Sequence, residues 1–271
     1  MLKDITLGQY YPGDSVIHRL DPRIKILLTL VYIVLLFFIK NFTGFLAFGI
    51  FTLAVIFLSK LPLGYVLKGL KPLLFIIAFT GIINLFMTPG KIWVKIPYTP
   101  LCITYEGLRT AAFMIVRLIF LIMGTSVLTL TTSPLSLTDG IEKLLSPFKK
   151  IGLPAHELAM MMSIAIRFIP TLLEETEKIM KAQTARGADF ESGNLLERAK
   201  ALVPLLVPLF ISAFRRADEL AMAMECRCYN GGSHRTRMKE IKITGKDISI
   251  SLIALFALAI ATTIGFLPFL Y

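Results

Sequence analysis

Five stretches of the chain are almost wholly apolar: residues 24–39, 42–58, 73–87, 111–130 and 248–270. Each approaches the ~20 apolar residues that a helix needs to cross the hydrocarbon of a bilayer. The pattern therefore predicts five transmembrane helices. Only Lys40 and Asn41 separate the first two stretches, which read as a helical hairpin. Lys60, Pro62, Lys68, Lys71 and Pro72 make the next connection, and Thr88, Pro89 and Gly90 stop the third run. Trp93, Pro97, Tyr98, Pro100 and Tyr105 then describe a loop at the membrane interface, where rings with one polar edge are favoured.

Residues 131–246 follow a different pattern. Their apolar runs, 158–166 and 201–214, are too short to span and continue into charged sequence. Glu174, Glu175, Glu177, Lys178 and Lys181 follow the first; Arg215, Arg216, Asp218 and Glu219 follow the second. Leu206, Phe210, Ala213, Ala217, Leu220 and Met224 recur at steps of four and three, which is one face of a helix. Met161, Ala165, Phe168, Leu172, Ile179 and Ala182 share a face in the same way, broken by Glu175. A shorter amphipathic helix is expected over 134–150, with Leu137, Ile141, Leu144 and Leu145 on its apolar side. The predicted class is an all-α integral membrane protein of about five spans plus a module of long amphipathic helices. Its segments are 1–23, 24–130 (spans one to four), 131–246 (the amphipathic module) and 247–271 (the fifth span).

Composition agrees with lipid exposure. The 271 residues are 55% hydrophobic and only 17% charged, and mean hydropathy is +0.72. A soluble domain carries more charge. The net charge of +11 is concentrated in the N-terminal segment, the second connection and the 131–246 module. By the positive-inside rule these face the cytoplasm, leaving the N-terminus inside and the C-terminus outside a plasma membrane. No interleaving of basic and aromatic residues points to nucleic acid. The three cysteines, Cys102, Cys226 and Cys228, cannot form a disulfide framework, and no metal site is expected of them. Asp4, Asp14 and Asp21 ahead of the first apolar run argue against a signal peptide.

Both long amphipathic helices end on an arginine between small residues: Ala185-Arg186-Gly187 and Cys226-Arg227-Cys228, the second followed by Tyr229, Asn230, Gly231 and Gly232. One reading is a helix stop, with a cation near the C-terminal carbonyls and glycine in the left-handed position. The other is an uncovered guanidinium that fits a groove on a partner protein and binds carboxylates or carbonyls there. Its repetition on two similar helices favours the second reading.

With the N-terminal run Tyr11-Pro12-Gly13-Asp14-Ser15 and His18-Arg19-Leu20-Asp21-Pro22-Arg23-Ile24-Lys25, these motifs resemble a known family. It is the transmembrane coupling subunit, or T component, of energy-coupling factor transporters, related to the cobalt-transport permeases. The likeness extends over nearly the whole chain. It implies two ABC-type ATPase subunits on the cytoplasmic face, docked by Arg186 and Arg227 with their flanks Ala185, Gly187, Cys226 and Cys228. The flanking cysteines depart from the alanine or glycine common in the family. It also implies that the long helices are coupling helices holding a separate substrate-binding membrane subunit (S component) for a vitamin or a metal ion. Met160, Met161, Met162, Leu144, Leu206 and Phe210 are candidates for that contact, with simple core packing as the alternative for the methionines. No catalytic residue and no cofactor are implied.

The N-terminal motif reads as structural: Asp21 as helix cap, Pro22 in the first turn, Arg23 and Lys25 at lipid headgroups. Arg117 lies inside the fourth span with no evident counter-charge. An enzyme finds little support. His156-Glu157 lacks a second histidine at zinc-protease spacing, His18 and His234 complete the histidines, and no P-loop is present. A self-contained secondary transporter is the remaining alternative. It predicts polar groups near the membrane centre and related halves, which the five spans do not display.

Overall fold

The computed structural model describes residues 10–39, 41–95, 102–152, 154–190, 194–231 and 243–266. Lys40, Pro97, Tyr98, Pro100, Gly232, His234 and Asp4, singled out above, lie outside them. The described residues form helices α1 (Val16–Arg19), α2 (Pro22–Phe38), α3 (Phe42–Leu58), α4 (Leu63–Lys68), α5 (Leu74–Met87), α6 (Tyr105–Thr131), α7 (Pro134–Leu145), α8 (Ala155–Ala185), α9 (Leu195–Cys226) and α10 (Gly245–Phe266). The expected all-α membrane class holds. The interfacial loop differs from expectation in one respect: Trp93 lies in β1 (Ile92–Lys95), which pairs antiparallel with β2 (Cys102–Thr104).

The described residues divide into two compact units, one drawn from 10–140 with 243–266 and one from 141–231. In the first, α2, α3, α6 and α10 pack together, and α5 packs on α6. Tyr32, Leu36, Phe45, Phe48, Leu258 and Ala261 form its core. The Tyr32 hydroxyl is satisfied by Thr52 at 3.0 Å and by donating to the Phe120 carbonyl at 3.0 Å. The α3–α10 crossing depends on glycine. A Cβ on Gly44 would lie 2.7 Å from the Gly265 Cα, so only a hydrogen lets the two backbones approach. Phe75, Ile253 and Phe256 point outward, 77%, 69% and 70% exposed, as lipid-facing side chains do.

Leu63–Met87, α6, α8 and α10 are long and apolar enough to cross a membrane. At 17 residues each, α2 and α3 are ~25 Å long, shorter than the ~30 Å hydrocarbon thickness. Helix α8 satisfies length and composition although its apolar run is short, because the helix continues unbroken for 31 residues.

The N-terminal motif builds a clasp. Asp21 caps α2, accepting from the Arg23 amide at 2.9 Å, with Pro22 in the first turn. His18 accepts from the Ser15 hydroxyl at Nδ1 (2.7 Å) and donates from Nε2 to the Tyr11 carbonyl (3.1 Å). Arg19 makes two 2.9 Å bonds to Asp14. That guanidinium, by hydrogen bond and charge, holds the exposed Asp14 carboxyl below its ordinary value. Lys25 is not at the headgroups. It is 6% exposed, and its Nζ donates to the His18 carbonyl (3.1 Å), the Thr131 carbonyl (3.0 Å) and Thr132 Oγ1 (3.4 Å). Thr131 ends α6 and its carbonyl has no partner within the helix, so a buried ammonium is its natural cap.

Arg117 finds a carbonyl instead of a counter-charge. Its Nη2 donates to the Ile39 carbonyl at 2.8 Å, at the C-terminal end of α2, and the guanidinium lies 5.6 Å and 5.9 Å from the Phe37 and Phe45 rings. A helix C-terminus and two ring faces supply the negative potential that a carboxylate would otherwise provide.

In the second unit α8 packs against α9. Both helices run through prolines, Pro170 in α8 and Pro204 and Pro208 in α9. Glu175, which interrupts the apolar face of α8, accepts from Arg216 of α9 at 2.7 Å. The polar break is thus half of an inter-helix pair. His156, near the start of α8, meets Glu142 of α7 at 3.0 Å.

Candidate docking ends of the amphipathic helices

The C-termini of α8 and α9 have the same hydrogen-bond pattern. At α8, the Ala188 amide donates to the Gln183 carbonyl and the Gly187 amide to Thr184, both at 3.0 Å. At α9, the Tyr229 amide donates to Met224 at 3.0 Å and Cys228 to Glu225 at 2.8 Å. Each is a Schellman motif, in which a six-to-one and a five-to-two bond satisfy carbonyls left open by the last turn. Arg186 and Arg227 both occupy the cap position immediately after the last helical residue.

The motif needs a left-handed residue after the cap. Gly187 supplies it at φ 88°, at little cost for glycine. At α9 the residue is Cys228, φ 55°. The glycines that follow Tyr229 and Asn230 in sequence therefore do not end this helix; Cys228 does. Cys228 corresponds to Gly187, and Cys226 to Ala185. A non-glycine residue there is strained by roughly 1–2 kcal/mol.

Both arginines are exposed, as are Ala185, Gly187, Cys226 and Cys228, and both thiols are free. Neither guanidinium takes part in an ion pair among the described residues. By contrast Arg216, on the same helix as Arg227, is bonded to Glu175. Each arginine thus presents a full fork of donors on a fixed helix end, a geometry suited to bidentate bonds with a partner's carboxylates or carbonyls. Among the described residues no three His, Cys, Asp or Glu side chains converge on one point.

Four of the six candidates for contact with a second membrane subunit lie on exposed apolar surface. Met161 and Met162 are each 54% exposed, Phe210 is 62% and Leu206 is 45%. Met160 and Leu144 are half-buried, and Ala155 and Ala159 take the inward positions of the first turns of α8. Three features escaped the sequence reading: the burial of Lys25, the Glu175–Arg216 pair and the left-handed Cys228. The Glu175 interruption of an otherwise apolar stripe was the available signal for the pair.

Residues 13–238 match the family model described as "Cobalt transport protein", CbiQ. The match takes in the N-terminal clasp from Gly13 and both arginine ends. The chain belongs to this family. Its curated relatives include proteins named "Energy-coupling factor transporter transmembrane protein EcfT". That of Clostridium kluyveri is 61% identical over 261 residues, 96% of this chain and 97% of the relative. That of Thermosediminibacter oceani is 62% identical over 248 residues, 92% and 93% of the two chains. That of Bacillus subtilis is 50% identical over 262 residues, 95% and 98%. Near-complete coverage at such identity makes this chain a transmembrane component of the energy-coupling factor type.

Proposed function

We propose that this chain is the coupling subunit of an ATP-driven importer, docking two cassette ATPases through Arg186 and Arg227. In this reading hydrolysis takes place on the partner ATPases. Residues 131–246 and the N-terminus lie on the cytoplasmic side of the cell membrane and the C-terminus lies outside. The observation that carries the proposal is the pair of matching Schellman ends, each holding at the cap an exposed arginine with no ion pair among the described residues. Two like ends suit two like partners. The outward apolar faces of α8 and α9, with Met161, Met162, Leu206 and Phe210, suit lateral contact with a separate substrate-binding subunit. That subunit selects the cargo, a vitamin or a transition-metal ion. Closure of the ATPases on ATP moves the two helix ends, and the helices transmit that motion to the binding subunit.

A charge-assisted hydrogen bond contributes about 1.5–3 kcal/mol. Loss of one docking arginine should therefore weaken ATPase binding by roughly 10- to 100-fold, and loss of both by more, since the two ends bind separate sites. The test is purification of the complex in mild detergent beside Arg186→Ala/Arg227→Ala, with co-purifying chains identified by mass. ATPases held by the wild type and lost from the double variant support the proposal. Equal ATPase recovery with both, or uptake by the purified chain alone, contradicts it.

A further inference from the structure

The connection between α3 and α5 carries charge that docking and coupling do not use. Helix α3 ends on a Schellman motif of its own: the Leu61 amide donates to the Ile56 carbonyl at 3.4 Å and the Lys60 amide to the Phe57 carbonyl at 3.0 Å. Ser59 is the cap, and the left-handed position falls to Lys60, φ 53°. Glycine would take that conformation at less cost, yet an exposed cation occupies it.

Helix α4 and the turn that follows present three sides. Val66 is fully buried, in one apolar cluster with Met123, Val127 and Leu130 of α6. Leu63, Leu67 and Leu74, at steps of four and seven along the Leu63–Met87 span, are exposed together. Tyr65, Lys68 and Lys71 recur at steps of three on the remaining side and are exposed as well. The Lys68 ammonium lies 4.9 Å from the centre of the Tyr65 ring, and the Tyr11 ring of the clasp lies 5.4 Å from the same ring.

The three lysines are uncompensated. None forms an ion pair among the described residues, and no carboxylate occurs in the sequence between Asp21 and Glu106. Lys60 acts on Asp14 through space, but both oxygens of Asp14 are held by Arg19. Among the described residues at this end of the unit, Arg19, Arg23, Lys25 and Lys246 offset Asp14, Asp21, Asp139 and Asp247, which leaves Lys60, Lys68 and Lys71 in excess. The connection joins helices whose exposed faces are apolar, so its leucines, tyrosine and lysines sit at the depth where acyl chains meet headgroups. The complement of clustered ammonium groups at that depth is a lipid phosphate with no positive charge of its own.

We propose that Lys60, Lys68 and Lys71 form a binding surface for anionic phospholipid headgroups, with Leu63 and Leu67 lying against the acyl chains. The surface belongs to the first compact unit and does not depend on the arginine ends.

The full-length chain is stripped of lipid in mild detergent, equilibrated with equimolar phosphatidylglycerol and phosphatidylcholine, and freed of unbound lipid by gel filtration. The retained lipids are quantified by mass spectrometry. A lysine near an anionic surface contributes about fivefold to binding, so the wild type should hold phosphatidylglycerol at least about tenfold over phosphatidylcholine. Lys71→Gln alone should lower that ratio about fivefold, and Lys60→Gln/Lys68→Gln/Lys71→Gln should abolish the preference. Arg167→Gln/Lys178→Gln/Lys181→Gln removes as much charge from exposed positions of α8 and should keep it. An undiminished ratio in the triple variant of the connection would overturn the proposal. An equal fall in the α8 variant would trace the preference to net charge and overturn it too. Displacement of phosphatidylglycerol by millimolar inorganic phosphate would mean a simple phosphate site, which contradicts a lipid surface.

Discussion

Replacing Lys25 by methionine keeps the length and apolar body of the side chain and removes the ammonium. Three bonds are lost, at 3.0, 3.1 and 3.4 Å, and the longest contributes least. The gain is relief from holding a buried cation away from water, a penalty of several kcal/mol for an isolated ion. The loss is larger in effect because of what remains. The Thr131 carbonyl at the end of α6 and the His18 carbonyl stay in place without the donor that satisfied them. An unsatisfied buried acceptor costs about 1–3 kcal/mol. With one buried and one partly buried acceptor, and the relieved desolvation set against them, net destabilisation of the clasp should be about 2 kcal/mol. The Tyr11 amide, bonded to the Leu130 carbonyl at 2.9 Å, reports on the clasp directly. Hydrogen exchange at Tyr11 should accelerate about 30-fold in Lys25→Met, since 1.4 kcal/mol is a factor of ten. Lys246→Met, an exposed cation outside the clasp, should leave that exchange unchanged. If exchange at Tyr11 in Lys25→Met stays within twofold of the wild type while helicity is retained, the ammonium is not what holds the clasp.

Further outcomes follow from the same geometry. Gly44→Leu places a side chain where Gly265 lies against α3, and should lower stability by about 1–3 kcal/mol in thermal unfolding, while Gly64→Ala, in open space, should change it little. Cys228→Gly relieves the left-handed strain at the end of α9, offset by glycine's greater freedom when unfolded; amides 226–229 should exchange up to about fivefold more slowly, and faster exchange would contradict the Schellman assignment. A double-mutant cycle on Glu175 and Arg216 should return a coupling of about 0.5–1 kcal/mol, modest because both side chains are partly exposed, at 27% and 38%.

The helices were largely legible in the sequence because their periods and punctuation are strong. Asp21-Pro22 marks the start of α2, the four-three stripe from Leu206 to Met224 marks α9, and Thr88-Pro89-Gly90 marks the end of α5. Helix α7 was expected to 150, but its α-helical part stops at Leu145, where a 3₁₀ turn takes over across Pro147. Prolines 170, 204 and 208 lie inside α8 and α9, where each costs only one backbone bond within helices held by long apolar faces. Pairings between distant residues were not legible. Lys25 reads as a headgroup lysine until the end of α6 is known to lie against it, and Arg117 lacks a partner until the Ile39 carbonyl is placed beside it. The arginine ends were visible as a repeat. Their equivalence in backbone conformation was not, because a cysteine in the left-handed position looks like an ordinary small flank.

The central claim concerns where the two caps dock. A photo-crosslinking amino acid placed singly at 186, 227 and, as a control, the exposed position 214 in the native membrane tests it most directly. Docking predicts that 186 and 227 each yield an adduct whose partner carries a P-loop peptide, and that 214 does not. Adducts with no such partner at either arginine position would contradict the account.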